Sequence, residues 1–332
     1  MLTVFLATLN PMLTLFLCIA IGFVLRKKQI LPENAGKVMS KLEMYVFCPA
    51  LSFITMARNC TVETLSAHAV NILFATCAMG IAIGLAILLS ALLVKEKGSA
   101  RGVYAYGLGF ANSGYMGEPL ILAIFGDLAL AYYKIYLLPL TVGTYTWGLA
   151  QIVPSKEGEK RSVLAVLKKL CNPPILATFA GIAVGLSGLG GHLPVFLSSS
   201  LDSLKACMGP VAMLLVGFTV AGYSLPSLLG KKKVYVATGL RLFVIPTLIL
   251  AAIAGIRMLT NALGAGIDNT VLFLCFFSVA TPLGLNTVIF PEAYGGDPEP
   301  GAAMALISHT LCVLTIPLLF ALMTVLFGTP SI

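Results

Sequence analysis

Blocks of about 20 apolar residues, separated by short polar breaks, run along the whole chain. A helix of that length crosses the ~30 Å hydrocarbon core of a bilayer. The pattern therefore predicts ten membrane-spanning segments, numbered one to ten in chain order. Their approximate bounds are residues 2–25, 39–57, 68–94, 103–124, 130–152, 164–186, 201–224, 233–257, 269–292 and 302–326.

The composition supports this pattern. Of the 332 residues, 58% are hydrophobic and 10% are charged, whereas a soluble domain carries about 25% charged residues. A water-soluble fold is thereby excluded, and the absence of alternating ten-residue stretches disfavours a transmembrane barrel. The first block lacks a positive leading region and is long enough to span, so it is predicted to be a retained helix. The expected fold class is an all-α polytopic membrane protein.

Basic residues are concentrated in alternate loops. Cytoplasmic loops of membrane proteins carry an excess of Lys and Arg, so these loops are predicted to be cytoplasmic and both termini extracytoplasmic. The loops contain Arg26–Lys28, Lys95–Arg101, Lys156–Lys169 and Lys231–Lys233.

The two halves of the chain echo each other. Asn10-Pro11 recurs as Asn172-Pro173, and Pro49 recurs as Pro210, at nearly the same offset. Coincidence among the 18 prolines is the alternative explanation. Because each half holds an odd number of segments, the second would enter the membrane from the opposite side, as in inverted-repeat transporters. The prediction is one integral membrane domain, with repeats at 1–152 and 164–332 joined by a cytoplasmic loop at 153–163.

The fourth and ninth segments are rich in Gly, Pro, Asn, Ser and Thr, which a lipid-facing helix avoids. Non-helical backbone at membrane depth is tolerated only where it is buried or lines a cavity, and paired interruptions mark the binding sites of transporters. Two kinks that serve packing are the alternative. The candidate substrate-binding residues are Asn112, Ser113, Gly114, Glu118, Thr281, Pro282 and Asn286. The candidate helix-break residues are Gly117, Pro119, Pro282 and Gly284.

At these residues a family resemblance appears. The stretch Asn112–Leu120 reads NSGYMGEPL and resembles the Asn-x-Gly-x-Met-Gly-x-Pro-Leu stretch of the auxin efflux carrier family. Thr281-Pro282-x-Gly284, followed by Tyr294 and the stretch 309–317, resembles the ninth and tenth spans of that family. The likeness runs nearly the whole chain.

The resemblance implies two inverted five-helix repeats in which segments four and nine cross as broken helices at the site. It also implies transport of small organic acids, auxin-like in plants and dicarboxylates such as malate or malonate in bacteria. The short central loop favours the bacterial branch and hence the bacterial inner (plasma) membrane. Ser52 is expected in the site wall from the resemblance alone. Plant members place a proline where this chain has Ala111, so the first break is expected either at Asn112 or at Pro119.

Glu118 is the acidic residue that lies well inside a predicted span. An intramembrane carboxylate costs roughly 2.5–3.5 kcal/mol on insertion scales, so it needs half-helix N-termini, a bound proton, or a cation as compensation. An ionised Glu118 that neutralises the helix dipoles would suit a neutral or cationic solute. A Glu118 that exchanges a proton would be a coupling site, with His309 as a second candidate for proton coupling. The candidate cations are Lys134, Lys205 and Arg241.

Two further polar groups receive structural interpretations. Asp202 and Lys205 are predicted to form a local pair, because they are three residues apart on one helix. Glu43 is predicted to mark the inner membrane interface.

The expected function is secondary active transport of a small organic acid by alternating access, with proton or sodium coupling left open. The alternative is a channel, or a carrier for a neutral or cationic solute. An intramembrane enzyme is disfavoured because the three histidines and the one buried carboxylate expected from the sequence provide no catalytic constellation. The expected partners are the solute and the lipid bilayer, without cofactor, metal or nucleic acid. Assembly as a homodimer is left open.

Overall fold

The computed structural model describes residues 2–96, 98–152, 172–294 and 299–328, which are almost wholly helical and contain no strand. The predictions for Lys97, for the basic residues of Lys156–Lys169, for the loop at 153–163 and for the start of the sixth segment lie outside the described residues. The principal helices are α1 (Leu2–Lys27), α2 (Ala35–Asn59), α3 (Val62–Leu93), α4 (Ser99–Gly109), α5 (Ser113–Ile152), α6 (Pro173–Leu186), α7 (Val195–Ala221), α8 (Lys232–Ala262), α9 (Thr270–Val279), α10 (Asn286–Tyr294) and α11 (Glu299–Phe327).

Within the described ranges, seven helices are long and apolar enough to cross a membrane. They are α1, α2, α3, α5, α7, α8 and α11, while α6 and α9 are shorter apolar helices. Their exposed faces carry large hydrophobic side chains, as a lipid-facing surface requires. The predicted all-helical membrane architecture is therefore confirmed at this level.

The long helix α5 reverses direction at Gly126, whose φ of 85° is non-helical. Glycine populates positive φ without the steric cost that other residues meet. The proof of reversal is the close contact between Glu118 and Lys134, whose charged atoms lie 2.7 Å apart. In a straight helix, a separation of 16 residues would span about 24 Å.

The fourth and ninth predicted segments are both interrupted. Helical structure stops at residues 110–112, between α4 and α5, and at residues 280–285, between α9 and α10. Of the two expected positions for the first break, the structure has the one at Asn112. Pro119 instead lies inside α5, just after its first, π-helical turn Ser113–Gly117.

The two interruptions pair with each other through a short antiparallel bridge. The backbone N–H of Asn112 donates to the carbonyl oxygen of Pro282 at 2.8 Å, and the N–H of Gly284 donates to that of Phe110 at 3.2 Å. Backbone groups freed from one helix are thus bound by the other, which non-helical backbone needs at membrane depth.

The helices α2, α5 and α8 contain wider, π-helical turns. Such turns often lie at functional sites, and three of them directly precede a helix proline, whose ring would otherwise clash with the carbonyl one turn earlier. These three are Glu43–Phe47 before Pro49, Ser113–Gly117 before Pro119, and Leu240–Val244 before Pro246.

Two close helix pairs, α1 with α7 and α2 with α6, form one group of the molecule. At Gly217 of α7, a Cβ atom would lie 1.8 Å from the carbonyl oxygen of Ile19 in α1. At Gly185 of α6, a Cβ atom would lie 2.5 Å from the carbonyl oxygen of Cys60, just beyond α2. Small residues let helix backbones approach closely in membranes, so these glycines determine the spacing of both pairs.

The ion pairs at the ends of these helices differ from the predicted local pair. Asp202 accepts two hydrogen bonds from Arg58, at 2.8 and 2.9 Å, and Lys205 pairs with Asp127. The prediction of an Asp202–Lys205 pair is therefore wrong. Each residue pairs with a residue of another helix, and spacing along one helix cannot indicate such a partner.

We expect Gly217→Ala to destabilise the protein by about 1–3 kcal/mol, the usual cost of forcing extra atoms into a packed interface. Thermal unfolding in detergent measures the effect as a lower Tm. Gly255→Ala is the matched control, because in the described part of the chain no atom beyond its own helical turns lies within 4 Å of a Cβ atom there. Equal Tm values for the two variants would contradict the assigned role of the α1–α7 contact.

Candidate functional site

A cavity of about 320 Å³ lies beside the crossing of the interrupted helices. Its wall combines α2, both halves of α5, the first turns of α6, and the α9–α10 interruption. This volume is at the lower end of the range of small-molecule sites. The predicted site residues that line it are Ser52, Asn112, Ser113, Gly114, Glu118, Gly284 and Asn286.

The remaining predicted residues lie behind this wall. Thr281 and Pro282 are buried in the α9–α10 interruption, where the carbonyl of Pro282 receives the bridging hydrogen bond. At Gly117, a Cβ atom would meet the hydroxyl of Tyr133 at 2.5 Å. Pro119 packs against α7 at Gly209. These residues shape the crossing and do not border the cavity.

Glu118 forms a buried ion pair with Lys134 across the reversal of α5. Their side chains are only 8% and 5% exposed, and the Lys134 Nζ also donates to the hydroxyl of Ser52 at 3.2 Å. Of the three cations considered as partners, Lys134 is therefore the one that compensates the carboxylate. The ion pair and the hydroxyl connect α2 with both halves of α5 on the cavity wall.

Arg241 has a different role, because it binds the ends of two half-helices. Its guanidinium is buried and donates to the carbonyls of Leu108 at 3.0 Å and Val279 at 2.6 Å. These carbonyls belong to the last turns of α4 and α9. Helix C-termini present free carbonyls and a partial negative charge, so one cation satisfies both ends where the chain leaves the helix.

His309 of α11 supports Asn112 from behind. The His309 Nδ1 lies 2.8 Å from the carbonyl oxygen of Ala305, and its Nε2 lies 3.0 Å from the Asn112 Nδ2. Because a carbonyl only accepts, Nδ1 carries the proton, and the neutral ring accepts from Asn112 through Nε2. The Asn112 Oδ1 then has no hydrogen-bond partner in the described residues.

Asn286 opens α10 at the edge of the cavity, and its Nδ2 donates to the Tyr106 hydroxyl at 2.9 Å. Ser113 opens α5 at the same cavity. The start of a helix carries roughly half a positive elementary charge and free N–H groups. Two such starts border the cavity, so its wall is suited to an anionic group.

Sequence reasoning missed two features of this site. It treated Lys134 only as one of three partners, although a lysine in an apolar span itself indicates a polar cavity or counter-charge. It also did not predict that Glu43, expected near the membrane interface, is 0% exposed within α2. Glu118 is therefore not the sole buried carboxylate.

The sequence is similar to known transport proteins. A family model described as "Membrane transport protein" matches residues 7–320. A protein described as an uncharacterized transporter of Methanocaldococcus jannaschii is 23% identical over 312 residues, which cover 93% of this chain and 97% of that relative.

We expect Arg241→Met to destabilise the protein strongly, because each lost hydrogen bond from a charged donor is worth roughly 1.5–3 kcal/mol. Thermal unfolding in detergent provides the measurement. Arg257→Met is the control, since Arg257 also donates to two carbonyls, those of Ile267 and Asp268, but at a half-buried helix end. A similar loss in both variants would show that the crossing does not depend on Arg241.

Proposed function

Because the chain belongs to the membrane transport protein family, we propose that it is a secondary active transporter of a small organic acid. Membership confirms the resemblance drawn from the fourth segment, and it makes the protein an integral membrane transporter rather than a member of an enzyme class. The substrate class is our inference from that resemblance and from the charges around the cavity. A dicarboxylate such as malate or malonate, or an auxin-like weak acid, is the proposed solute.

The charge balance around the cavity is the observation that carries this proposal. Arg241 offsets the negative ends of α4 and α9, and Glu118 is offset by Lys134. The positive starts of α5 and α10 border the same cavity as this ion pair. They amount to about one positive charge, which favours a bound carboxylate.

A neutral or cationic substrate is the alternative that the sequence leaves open. That alternative needs the Glu118 charge to neutralise the half-helix dipoles. The Glu118 charge is instead balanced by Lys134, whose Nζ lies 2.7 Å from the carboxylate. The half-helix dipoles are then left for the substrate, so an anionic substrate is favoured.

For the architecture we propose ten helices in two inverted five-helix repeats, in a bacterial plasma membrane with both termini outside. The packing supports the repeat, because α1 contacts α7 while α2 contacts α6. A two-fold axis that exchanges the halves would convert one pair into the other. The same two-fold axis would exchange the fourth segment with the ninth, and their interruptions meet at the antiparallel bridge.

Alternating access follows from such an arrangement, and the cavity indicates which side is open. Its lining includes Pro174, Ile175, Thr178 and Phe179, at the start of α6 that follows the predicted cytoplasmic loop. At the opposite ends of the helices, Lys205 of α7 binds Asp127, next to the reversal of α5. We infer an inward-facing state in which this ion pair closes the outer side.

The first test is uptake of labelled malate, malonate and an indole acid by proteoliposomes. A carrier gives saturable uptake and counterflow, whereas single-channel conductance would indicate a channel. Absence of uptake for all three acids would contradict the proposed substrate class.

We expect Asn286→Asp to lower the affinity for the transported acid by tenfold or more. Aspartate is as good a residue as asparagine at a helix start, so α10 persists, but its charge opposes an anion. The apparent KM in proteoliposomes is the measurement. Asn286→Ser is the neutral control and should stay within a few-fold of wild type, and equal KM values in both variants would argue against an anion at this helix start.

We expect Asp127→Asn to increase access to the cavity from outside, because it removes the ion pair with Lys205. The probe is Cys48, which lines the cavity, labelled by an impermeant thiol reagent after the other cysteines are replaced by serine. Exchange of the two charges, Asp127→Lys with Lys205→Asp, should restore slow labelling. A single variant that labels no faster than its parent would rule out a closing role.

A further inference from the structure

Lys134 is a cation built into the wall of the cavity. Its ammonium group is held by one carboxylate, that of Glu118 at 2.7 Å, and by the hydroxyl of Ser52 at 3.2 Å. All three side chains line the cavity, and all three are buried. A carboxylate of the protein thus occupies a position on Lys134 that the carboxylate of a small acid could take.

We propose that Lys134 binds a carboxylate of the substrate, and that Glu118 must accept a proton and release Lys134 before the substrate can bind. Each such carboxylate then crosses the membrane together with one proton, which Glu118 takes from water on one side and returns on the other. This inference rests on the proposed transport of organic acids and assigns the cation and the coupling group.

At Lys134 itself, one ammonium balances the charge of only one carboxylate, so a second carboxylate there leaves an excess negative charge. Like charges a few ångströms apart repel strongly where the effective dielectric constant is low, and removing the partner of a buried charge is costly. Protonation of Glu118 removes one negative charge, so the substrate carboxylate meets an unopposed Lys134. The two events are therefore linked, and the affinity for substrate rises as pH falls.

The groups around Glu118 support the assignment of the proton to Glu118 and of the substrate carboxylate to Lys134. Among the described residues, the titratable groups with an electrostatic interaction with Glu118 are Cys48 of α2, Tyr133 of α5 and its cation Lys134. From α7, the cavity wall receives Met208, which does not titrate. Arg241 is engaged by backbone carbonyls, and the Asp127–Lys205 pair does not line the cavity.

Ser52 holds Lys134 in place when Glu118 is protonated and the ion pair is lost. Its hydroxyl accepts a hydrogen bond from Nζ on the side of α2, so the ammonium keeps one neutral partner when the carboxylate is protonated. An ammonium has three N–H donors, of which Glu118 and Ser52 account for two contacts. A substrate carboxylate would take the direction that Glu118 leaves.

The test uses full-length protein in proteoliposomes, with labelled malate over a pH range in which malate itself stays ionised. For wild type, we expect the apparent KM to rise by up to about tenfold per pH unit on the alkaline side, as one-proton linkage requires. An inward proton gradient should drive accumulation. Glu118→Gln mimics the protonated carboxyl group, so counterflow should persist with a KM independent of pH, while gradient-driven accumulation is lost.

The cation is tested by adding Lys134→Gln to Glu118→Gln. This double variant has a neutral wall, and we expect its KM to rise more than tenfold over that of Glu118→Gln. If Glu118→Gln alone does not fold, the double variant, whose pair is removed together, should still show a weak and pH-independent KM. A pH-dependent KM in the double variant would overturn the proposal, as would an unchanged KM after loss of Lys134.

Glu43→Gln is the matched control, because Glu43 is also a buried carboxylate of the protein but does not line the cavity. It should keep the pH dependence and the accumulation of wild type. If the pH dependence disappears with Glu43 and persists in Glu118→Gln, the coupling group has been assigned wrongly. Wild-type protein that transports none of the acids contradicts the proposed function itself, which separates the two failures.

Discussion

Backbone hydrogen bonding at the crossing of the interrupted helices is the constraint on which the rest of the structure depends. Inside a membrane, no water is available for the groups that leave a helix. Here each interruption supplies the partners for the other, through Asn112 and Pro282 in one direction and Gly284 and Phe110 in the other. Neither break is tenable alone, and this mutual dependence holds the two helices at a fixed crossing point.

The same constraint determines the charges around the crossing. Two helix ends with free carbonyls meet there, and Arg241 binds both of them. The charge of Arg241 is thereby used to bind backbone carbonyls. The positive helix starts at Ser113 and Asn286 remain at the cavity. The positive character of the site is thus a product of the fold, since dipoles that would cancel in an unbroken helix are separated into two ends.

Much of this arrangement follows from local sequence. Apolar blocks indicate the helices, and Gly, Pro and Asn in two of them indicate the interruptions, because these preferences act within one turn of chain. The partner of Glu118 does not follow, since it depends on the reversal at Gly126, and the contact of Asn112 with His309 joins residues 197 positions apart. The partner of Asp202 was predicted wrongly for the same reason. Lys205 lies near it on the same helix, but Arg58, which pairs with it, belongs to a helix that only the fold brings close.

A buried carboxylate beside the proposed anion site would oppose substrate binding if it stayed ionised, yet in the proposed cycle it keeps the charge of the carrier balanced. In the empty state, ionised Glu118 and Lys134 form a neutral pair. In the proposed loaded state, a protonated Glu118, Lys134 and a substrate carboxylate again sum to zero. A second carboxylate of a dicarboxylate would be balanced by the half-helix starts. Because moving an unbalanced charge through a low-dielectric region is costly, equal charge in the two states would let the same rearrangement proceed with or without substrate.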